Sequence, residues 1–115
     1  MGPLVHLICD LECDGLGGYS KYYFLDFAVG VVQSLNLQII HQHISTFNNG
    51  SGFGPGVSVL LLLAESHLAI HTAPDRHLLN LDLFSCRPLD EDVILKMIKQ
   101  TFKPKTFLQW KLLSR

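Results

Sequence analysis

The elements predicted along the chain indicate an α+β fold, in which two helices cover one face of a mostly antiparallel β-sheet. Two segments with helical spacing of apolar residues, 20–36 and 90–103, are separated by several shorter stretches of strand character. The 115 residues are enough for a single domain, 1–115, and a hydrophobic content of 48% predicts a packed core. Because so small a domain buries a limited share of its surface, this apolar chain is expected to form an oligomer.

The first half of the chain is predicted to contain a strand, a helix and a second strand. The apolar stretch 4–11 predicts a strand that runs into an acidic and glycine-rich loop. The first helix begins at Ser20, a good N-cap residue, and ends near Asn36. Residues 37–47 are rich in β-branched and apolar side chains and predict the next strand.

The second half is predicted to supply most of the sheet. The glycine-rich stretch 48–56 precedes an apolar strand instead of a helix and lacks a GK[ST] ending, so it indicates a flexible loop and not a phosphate cradle. Residues 57–64 are apolar on both alternating faces, which predicts a central strand covered on both sides. Two further strands follow, the second helix begins at the acidic residues 90–92, and residues 106–113 form the last strand.

Charge, hydropathy and cysteine content exclude several classes of function. The formal net charge is −1 and no basic run is present, so no nucleic-acid partner is expected. The apolar run 59–64 is far shorter than the roughly 20 residues of a membrane-spanning helix, and the amino terminus does not have the pattern of a signal peptide. Three cysteines, an odd number, fit a reducing compartment, so we expect a cytoplasmic protein with no membrane association.

Histidine pairs in the sequence do not predict a metal site. His41 and His43 point to the same face of a predicted strand, but no third ligand stands at a recognisable spacing. His67 and His71 would share a face of a helix, yet Glu65 precedes both and the surrounding residues favour a strand. We therefore expect no metal cofactor.

Three residue types capable of chemistry lie near the ends of predicted strands. Ser66, His71 and Cys86 together could support nucleophilic and acid–base steps. Taken singly, each is better explained as an ordinary turn serine, a hydrogen-bonded histidine or a buried thiol.

Three blocks of sequence resemble the small prokaryotic S-adenosylmethionine decarboxylases, which are made as proenzymes that cleave themselves to form a pyruvoyl group. The family pattern AESHxxIHTxP appears as AESHLAIHTAP at 64–74, D-x-F-T-C as DLFSC at 82–86, and Gly-Val-Ser as GVS at 56–58. The blocks follow the order and spacing of the family, and the resemblance spans nearly the whole chain. It implies the family's α+β layer, with two protomers packed sheet against sheet in an α/β/β/α sandwich.

The resemblance also implies how the chain is cut. The Ser66 hydroxyl attacks the carbonyl of Glu65 and converts the peptide bond to an ester, with assistance from Ser58. His71 then removes the α-proton of residue 66, the ester is eliminated, and the dehydroalanine hydrolyses to a pyruvoyl group. The chain becomes two, a β chain of residues 1–65 and an α chain of residues 66–115.

By the same resemblance, the pyruvoyl group is the only cofactor. Its carbonyl forms a Schiff base with the substrate amine and accepts the electrons left by carbon dioxide, as pyridoxal phosphate does. Cys86 corresponds to the acid that returns a proton to the substrate. The implied enzyme is a homodimer of processed protomers that decarboxylates S-adenosylmethionine, producing the aminopropyl donor for spermidine synthesis.

Some positions depart from the family pattern and bear on the substrate. Ala73 stands where the family commonly has Trp, so an aromatic surface for adenine is missing there. Phe47 or Phe53 is the candidate replacement, and Asp75, which replaces a Glu, is the candidate acceptor for a ribose hydroxyl. Arg87 and Pro88 replace the usual Gly-Asp, and we expect no effect of that change on the chemistry.

These departures leave two alternatives open. One is a pyruvoyl-dependent arginine or ornithine decarboxylase of the same family. The other is an unprocessed, non-catalytic homologue that binds a ligand or a partner decarboxylase.

Overall fold

A computed structural model describes residues 4–47 and 55–115. The main elements, in chain order, are β1 Val5–Glu12, α1 Lys21–Ser34, β2 Ile39–Phe47, β3 Gly56–Leu63, β4 Ser66–Ala73, β5 Leu78–Ser85, α2 Glu91–Phe102 and β6 Thr106–Ser114. Short 3-10 turns occupy Leu16–Gly18 and Pro74–Arg76.

The strands form one six-stranded sheet in the order β2-β3-β4-β5-β1-β6. All neighbouring strands run antiparallel. Strands β3, β4 and β5 follow one another as a meander, whereas β1 is inserted between β5 and β6. The predicted α+β fold with two helices and an antiparallel sheet is therefore confirmed.

Both helices begin and end at residues that satisfy free backbone groups. The Ser20 side chain accepts a hydrogen bond from the backbone of Tyr22 and so caps α1. Asp90 caps α2 in the same way through Val93. Past α1, Asn36 adopts a left-handed backbone conformation with φ 57°, which stops the helix where the sequence predicted. Neither of these helices, which lie within the described ranges, is long and apolar enough to cross a bilayer.

The core lies between the helices and one face of the sheet. Buried side chains alternate along β1, β4 and β5, as expected for strands with one covered face. Phe102 of α2 stacks on Phe24 and meets Phe27 edge to face, with ring centroids 5.9 and 4.7 Å apart. These contacts join the two helices above the sheet and leave its other face, called here the open face, without helices.

The open face carries large apolar side chains that are half exposed in this chain. Leu60 and Leu62 of β3 are 51% and 50% exposed, and Leu113 of β6 is 42% exposed. The prediction that residues 57–64 form a strand inside the sheet is confirmed, because β3 pairs with β2 on one side and with β4 on the other. Within the single chain only one face of β3 is covered, so the leucines of the other face are available to an external surface.

Candidate active site

Ser58 and His71 form a hydrogen-bonded pair on the open face. They are opposite each other on the neighbouring strands β3 and β4, and Ser58 Oγ lies 2.9 Å from His71 Nδ1. In the tautomer in which Nδ1–H donates to Ser58, the lone pair is on Nε2, and the ring can act as a base there. The sheet register therefore orients this histidine without help from a loop.

Ser66 and Cys86 form a second pair at the other end of β4. Ser66 is the first residue of that strand and is only 5% exposed. Its hydroxyl lies 3.8 Å from Cys86 Sγ and accepts a hydrogen bond of 3.3 Å from the backbone N–H of Cys86. Two groups of Cys86 thus contact the same oxygen atom.

The turn before Ser66 holds the backbone in a strained conformation. Glu65 has a left-handed φ of 63°, which costs a residue with a Cβ about 1 kcal/mol or more. The backbone N–H of Ala64 donates to the carbonyl of Gln38 over 3.0 Å, which ties the turn to the connection between α1 and β2. The strain is therefore located beside the Glu65–Ser66 bond and is maintained by the surrounding fold.

The structure does not bring these two pairs together within one chain. Ser66 and His71 are five residues apart on β4, which is about 17 Å along an extended strand. The two residues also alternate in burial, with Ser66 on the helix side and His71 on the open face. A single protomer thus holds two half-sites.

A shallow pocket of about 220 Å³ lies beside His71 on the open face. Phe47 and Ala73 line it, so Phe47 is positioned to supply an aromatic surface next to the small side chain. Asn80 also lines the pocket, and its Nδ2 donates to Asp10 Oδ1 over 2.6 Å. The sequence reasoning did not identify Asp10 and Asn80. The sequence did offer one signal for this pair: each of the two polar residues interrupts the apolar pattern of a predicted strand.

The other two candidate substrate-binding residues are not found in this pocket. Asp75 lies in the short turn Pro74–Arg76, is exposed and does not line the pocket beside His71. Phe53 lies outside the described residues.

The three thiols differ in environment. Cys9 and Cys13 are fully buried. Burial, with a smaller contribution from neighbouring carboxylates, raises the pKa of Cys9 to about 12 and that of Cys13 to about 11. Cys86 is partly exposed and is the thiol that contacts Ser66. Cys86 is thus the thiol that can reach a substrate.

Within residues 4–47 and 55–115, no three or more His, Cys, Asp or Glu side chains are grouped so that they could hold a metal ion.

Comparison with known proteins assigns the family. Residues 6–113 match the family model of S-adenosylmethionine decarboxylase. An S-adenosylmethionine decarboxylase proenzyme 2 of Bacillus cereus is 32% identical over 102 residues, which cover 86% of this chain and 78% of the relative.

Two other relatives match over shorter shares of their length. An arginine decarboxylase proenzyme of Caldivirga maquilingensis is 33% identical over 90 residues, or 74% of this chain and 63% of that protein. An S-adenosylmethionine decarboxylase proenzyme of Archaeoglobus fulgidus is 40% identical over 57 residues, or 48% of this chain and 51% of that protein. The aligned part of this chain thus spans between half and two thirds of these two relatives.

The fold is also found in a solved structure. The crystal structure of the adenosylmethionine decarboxylase from Aquifex aeolicus superimposes with a TM-score of 0.78 at 23% identity, over 98% of this chain and 90% of that one. The α+β layer with its β3–β4 turn is thus the architecture of a decarboxylase of this type. With the match over residues 6–113, the chain belongs to the S-adenosylmethionine decarboxylase family, whose members named above are decarboxylase proenzymes.

Proposed function

We propose that this chain is the proenzyme of a pyruvoyl-dependent decarboxylase that acts on S-adenosylmethionine and is activated by cleavage between Glu65 and Ser66. The observation that carries the proposal is the contact of the Ser66 hydroxyl with the amide and thiol of Cys86. That contact stands at the strained turn of Glu65. Membership of the decarboxylase family supports the same assignment.

Self-cleavage uses the buried Ser66 as its nucleophile. Its Oγ attacks the carbonyl carbon of Glu65, the peptide C–N bond breaks, and an ester forms while the amine of residue 66 is released. Removal of the α-proton of residue 66 then expels the Glu65 carboxylate and leaves a dehydroalanine. Water converts this residue to the pyruvoyl group and ammonia leaves. The left-handed φ of Glu65 favours the first step, because cleavage of the backbone releases the strain.

The processed site fits a pyruvoyl group, because the precursor Ser66 is almost fully shielded from water and lies beside a thiol. When present, the group supplies a carbonyl that withdraws the electrons left by departing carbon dioxide. Cys86 is the neighbouring acid, and it delivers a proton to the substrate α-carbon. A substrate is decarboxylated without any other cofactor.

A second copy of the chain completes the site in this proposal. His71 must reach residue 66 to remove its α-proton, but within one chain the two lie about 17 Å apart. Leu60 and Leu62 lie half exposed on the open face, on which His71 also lies. Burying these two leucines against another sheet is favourable. We therefore assign a homodimer packed through the open faces, in which the Ser58–His71 pair of one copy acts on residue 66 of the other.

Arginine is a second candidate substrate. Ala73 leaves open space in the pocket beside His71, where the family commonly has Trp. The Asp10 carboxylate behind Asn80 is the type of group that a guanidinium or ammonium would pair with. A relative named arginine decarboxylase proenzyme is 33% identical to this chain. Ornithine belongs to the same class of substrate.

Self-cleavage is tested by the intact mass of the denatured protein. We expect two fragments in freshly purified protein, one that ends at Glu65 and one whose first residue, 66, is blocked. The Ser66→Ala variant should remain whole. A wild-type chain that stays whole after prolonged incubation would contradict the proposal and favour an unprocessed binding homologue.

Substrate identity is tested by release of carbon dioxide from S-adenosylmethionine, arginine and ornithine in parallel assays. Activity confined to S-adenosylmethionine supports the first candidate. Activity confined to a basic amino acid would replace it with the second.

The proposed enzyme works in the reducing cytoplasm, since all three cysteines are free and Cys86 must stay a thiol to donate its proton.

A further inference from the structure

Ser85 is a fully buried serine at the end of β5 that no step proposed above uses. Its hydroxyl donates to the carbonyl of Arg87 over 2.8 Å and accepts from the backbone N–H of Arg87 over 3.0 Å. One side chain thus satisfies both backbone groups of the residue that follows Cys86. Cys86 is therefore the middle residue of a small loop that is closed by hydrogen bonds between Ser85 and Arg87.

The closed loop bears on where the backbone N–H and the thiol of Cys86 point. The backbone N–H of Cys86 points to Ser66 Oγ, and its Sγ lies 3.8 Å from the same atom. Both contacts require one particular backbone conformation where β5 ends, because the strand pairing stops there and no longer restrains the chain. The two hydrogen bonds of Ser85 provide the missing restraint.

We propose that Ser85 is the positioning residue for the Cys86 thiol and amide. The inference rests on the proposed function where Ser66 acts as nucleophile and Cys86 as proton donor. The Ser85 hydroxyl forms its two hydrogen bonds with the backbone of Arg87. It acts through Cys86, both in the proenzyme, where the amide contacts the nucleophile, and after cleavage, where the thiol must face residue 66.

Arg87 provides a matched control on the same loop. Its guanidinium donates to the carbonyl of Asn36 over 3.1 Å, and its side chain is exposed. A hydrogen bond in water contributes little, so Arg87→Ala should release only a weak restraint. The backbone contacts of Ser85 are retained in that variant.

Alkylation of the thiols measures the position of Cys86 without relying on activity. Iodoacetamide should label Cys86 and not the buried Cys9 or Cys13 in the folded chain. We expect Ser85→Ala to label Cys86 about tenfold faster, because two hydrogen bonds that close the loop are lost. Ser85→Thr, which keeps the hydroxyl, and Arg87→Ala should both stay within about twofold of wild type.

Cleavage and proton delivery give two further measurements on the same variants. Ser85→Ala should cut itself at least about tenfold more slowly than wild type, and Ser85→Thr should restore the rate. In the processed protein, a proton delivered to residue 66 instead of the substrate inactivates the site. The substrate nitrogen then stays on residue 66 as an amino-terminal alanine, and water releases the substrate carbon as an aldehyde. Amino-terminal sequencing should find more alanine per turnover in Ser85→Ala.

The outcomes separate this inference from the proposed function. Equal labelling and equal cleavage in Ser85→Ala and wild type would overturn the positioning role. Simultaneous labelling of Cys9, Cys13 and Cys86 would also overturn it, because the variant would then open as a whole. If wild type is never cut but Ser85→Ala alone exposes Cys86, the positioning role stands and the proposed function fails.

Discussion

Ser66 and His71 lie five residues apart on the same strand and on opposite faces of the same sheet. Ser66 contacts Cys86, whereas His71 contacts Ser58 on the neighbouring strand. Because strand residues five apart always alternate faces, no change of rotamer in either side chain closes the gap. Within one chain, the proposed base therefore does not reach the proposed scissile residue.

Mixing two inactive variants tests this arrangement. The Ser66→Ala variant lacks the nucleophile and the His71→Ala variant lacks the base, so neither should cut itself alone. In mixed dimers, the intact His71 of one chain faces the intact Ser66 of the other. We expect up to about half of the His71→Ala chains to be cut after refolding of an equimolar mixture, as random pairing predicts. Absence of cleavage in verified mixed dimers would argue for a site within one chain.

Charge on the open face should prevent dimer formation. Leu60→Lys with Leu62→Lys replaces two half-exposed apolar side chains, so the variant should sediment as a monomer that is not cut. Tyr22→Lys is the control, since it changes an equally exposed apolar side chain on α1. A charged variant that is monomeric and still cut at the wild-type rate would contradict the composite site.

Loss of the Ser58 hydroxyl should slow cleavage with little effect on the fold. Ser58→Ala removes the hydrogen bond that orients His71, which is worth about 1 kcal/mol, or roughly tenfold in rate or less. Ser45→Ala is a matched control, because Ser45 lies opposite Ser58 on β2 and bonds the exposed His43. Cleavage followed by electrophoresis over time, with thermal unfolding alongside, separates the two effects. Equal cleavage rates in the two variants would remove Ser58 from the mechanism.

Removal of the Phe47 ring should discriminate between the candidate substrates. If adenine stacks on Phe47, Phe47→Ala should raise KM for S-adenosylmethionine by about tenfold, since such stacking contributes about 1 kcal/mol beyond the area buried. Phe47→Tyr keeps the ring and should behave as wild type. Steady-state assays check this directly. An unchanged KM in Phe47→Ala would exclude Phe47 as the stacking surface.

The buried cysteines should make the fold less stable in alkali. The pKa of Cys9 and Cys13 is raised from 9.0 in the unfolded chain to about 12 and about 11 when folded. Above pH 9.0 the thiols ionise in the unfolded chain but stay protonated in the folded one. Their contribution to the free energy of unfolding is therefore fully present below pH 9.0 and is lost as the pH rises towards the pKa values of the folded protein. Each thiol should lower the free energy of unfolding by at most about 1.4 kcal/mol per pH unit in that window.

Urea unfolding between pH 8 and pH 10.5, in the presence of a reductant, measures the slope. Cys13→Ala should have a shallower slope than wild type, because one of the two titrating thiols is gone. An identical slope in wild type and Cys13→Ala would show that other groups govern the alkaline loss of stability.

Local signals in the sequence predicted most of the fold. Ser20 was recognisable as a cap because its residue type itself supplies the hydrogen bond, and the acidic residues 90–92 predicted where α2 begins. The apolar pattern of 57–64 predicted a strand inside the sheet, but it did not predict that β2 is the strand that pairs on its outer side. Strand order depends on long-range pairing, such as that of β1 with both β5 and β6.

The sequence predicted which residues belong to the candidate site, but it did not predict where they lie relative to one another. The motif of residues 64–74 indicated Ser66 and His71 together, yet the pleat of β4 directs them to different faces. The pair Asp10 and Asn80 was invisible because the two residues are 70 positions apart in the chain and meet only through the β1–β5 register. Ser85 stands where the family pattern has Thr, and the sequence alone does not show the two hydrogen bonds that it makes where the strand ends.

The place of the β3–β4 turn in the sheet has a consequence for the two products of cleavage. A cut after Glu65 assigns β1, β2 and β3 to one fragment and β4, β5 and β6 to the other. In the sheet, β1 is flanked on both sides by strands of the other fragment, and β3 stays paired with β4. Two such fragments would share three strand pairs, β1 with β5, β1 with β6 and β3 with β4, and would separate only when the sheet unfolds. Once unfolded, the two chains of a cleaved molecule would have to find each other again, so refolding after cleavage would depend on protein concentration.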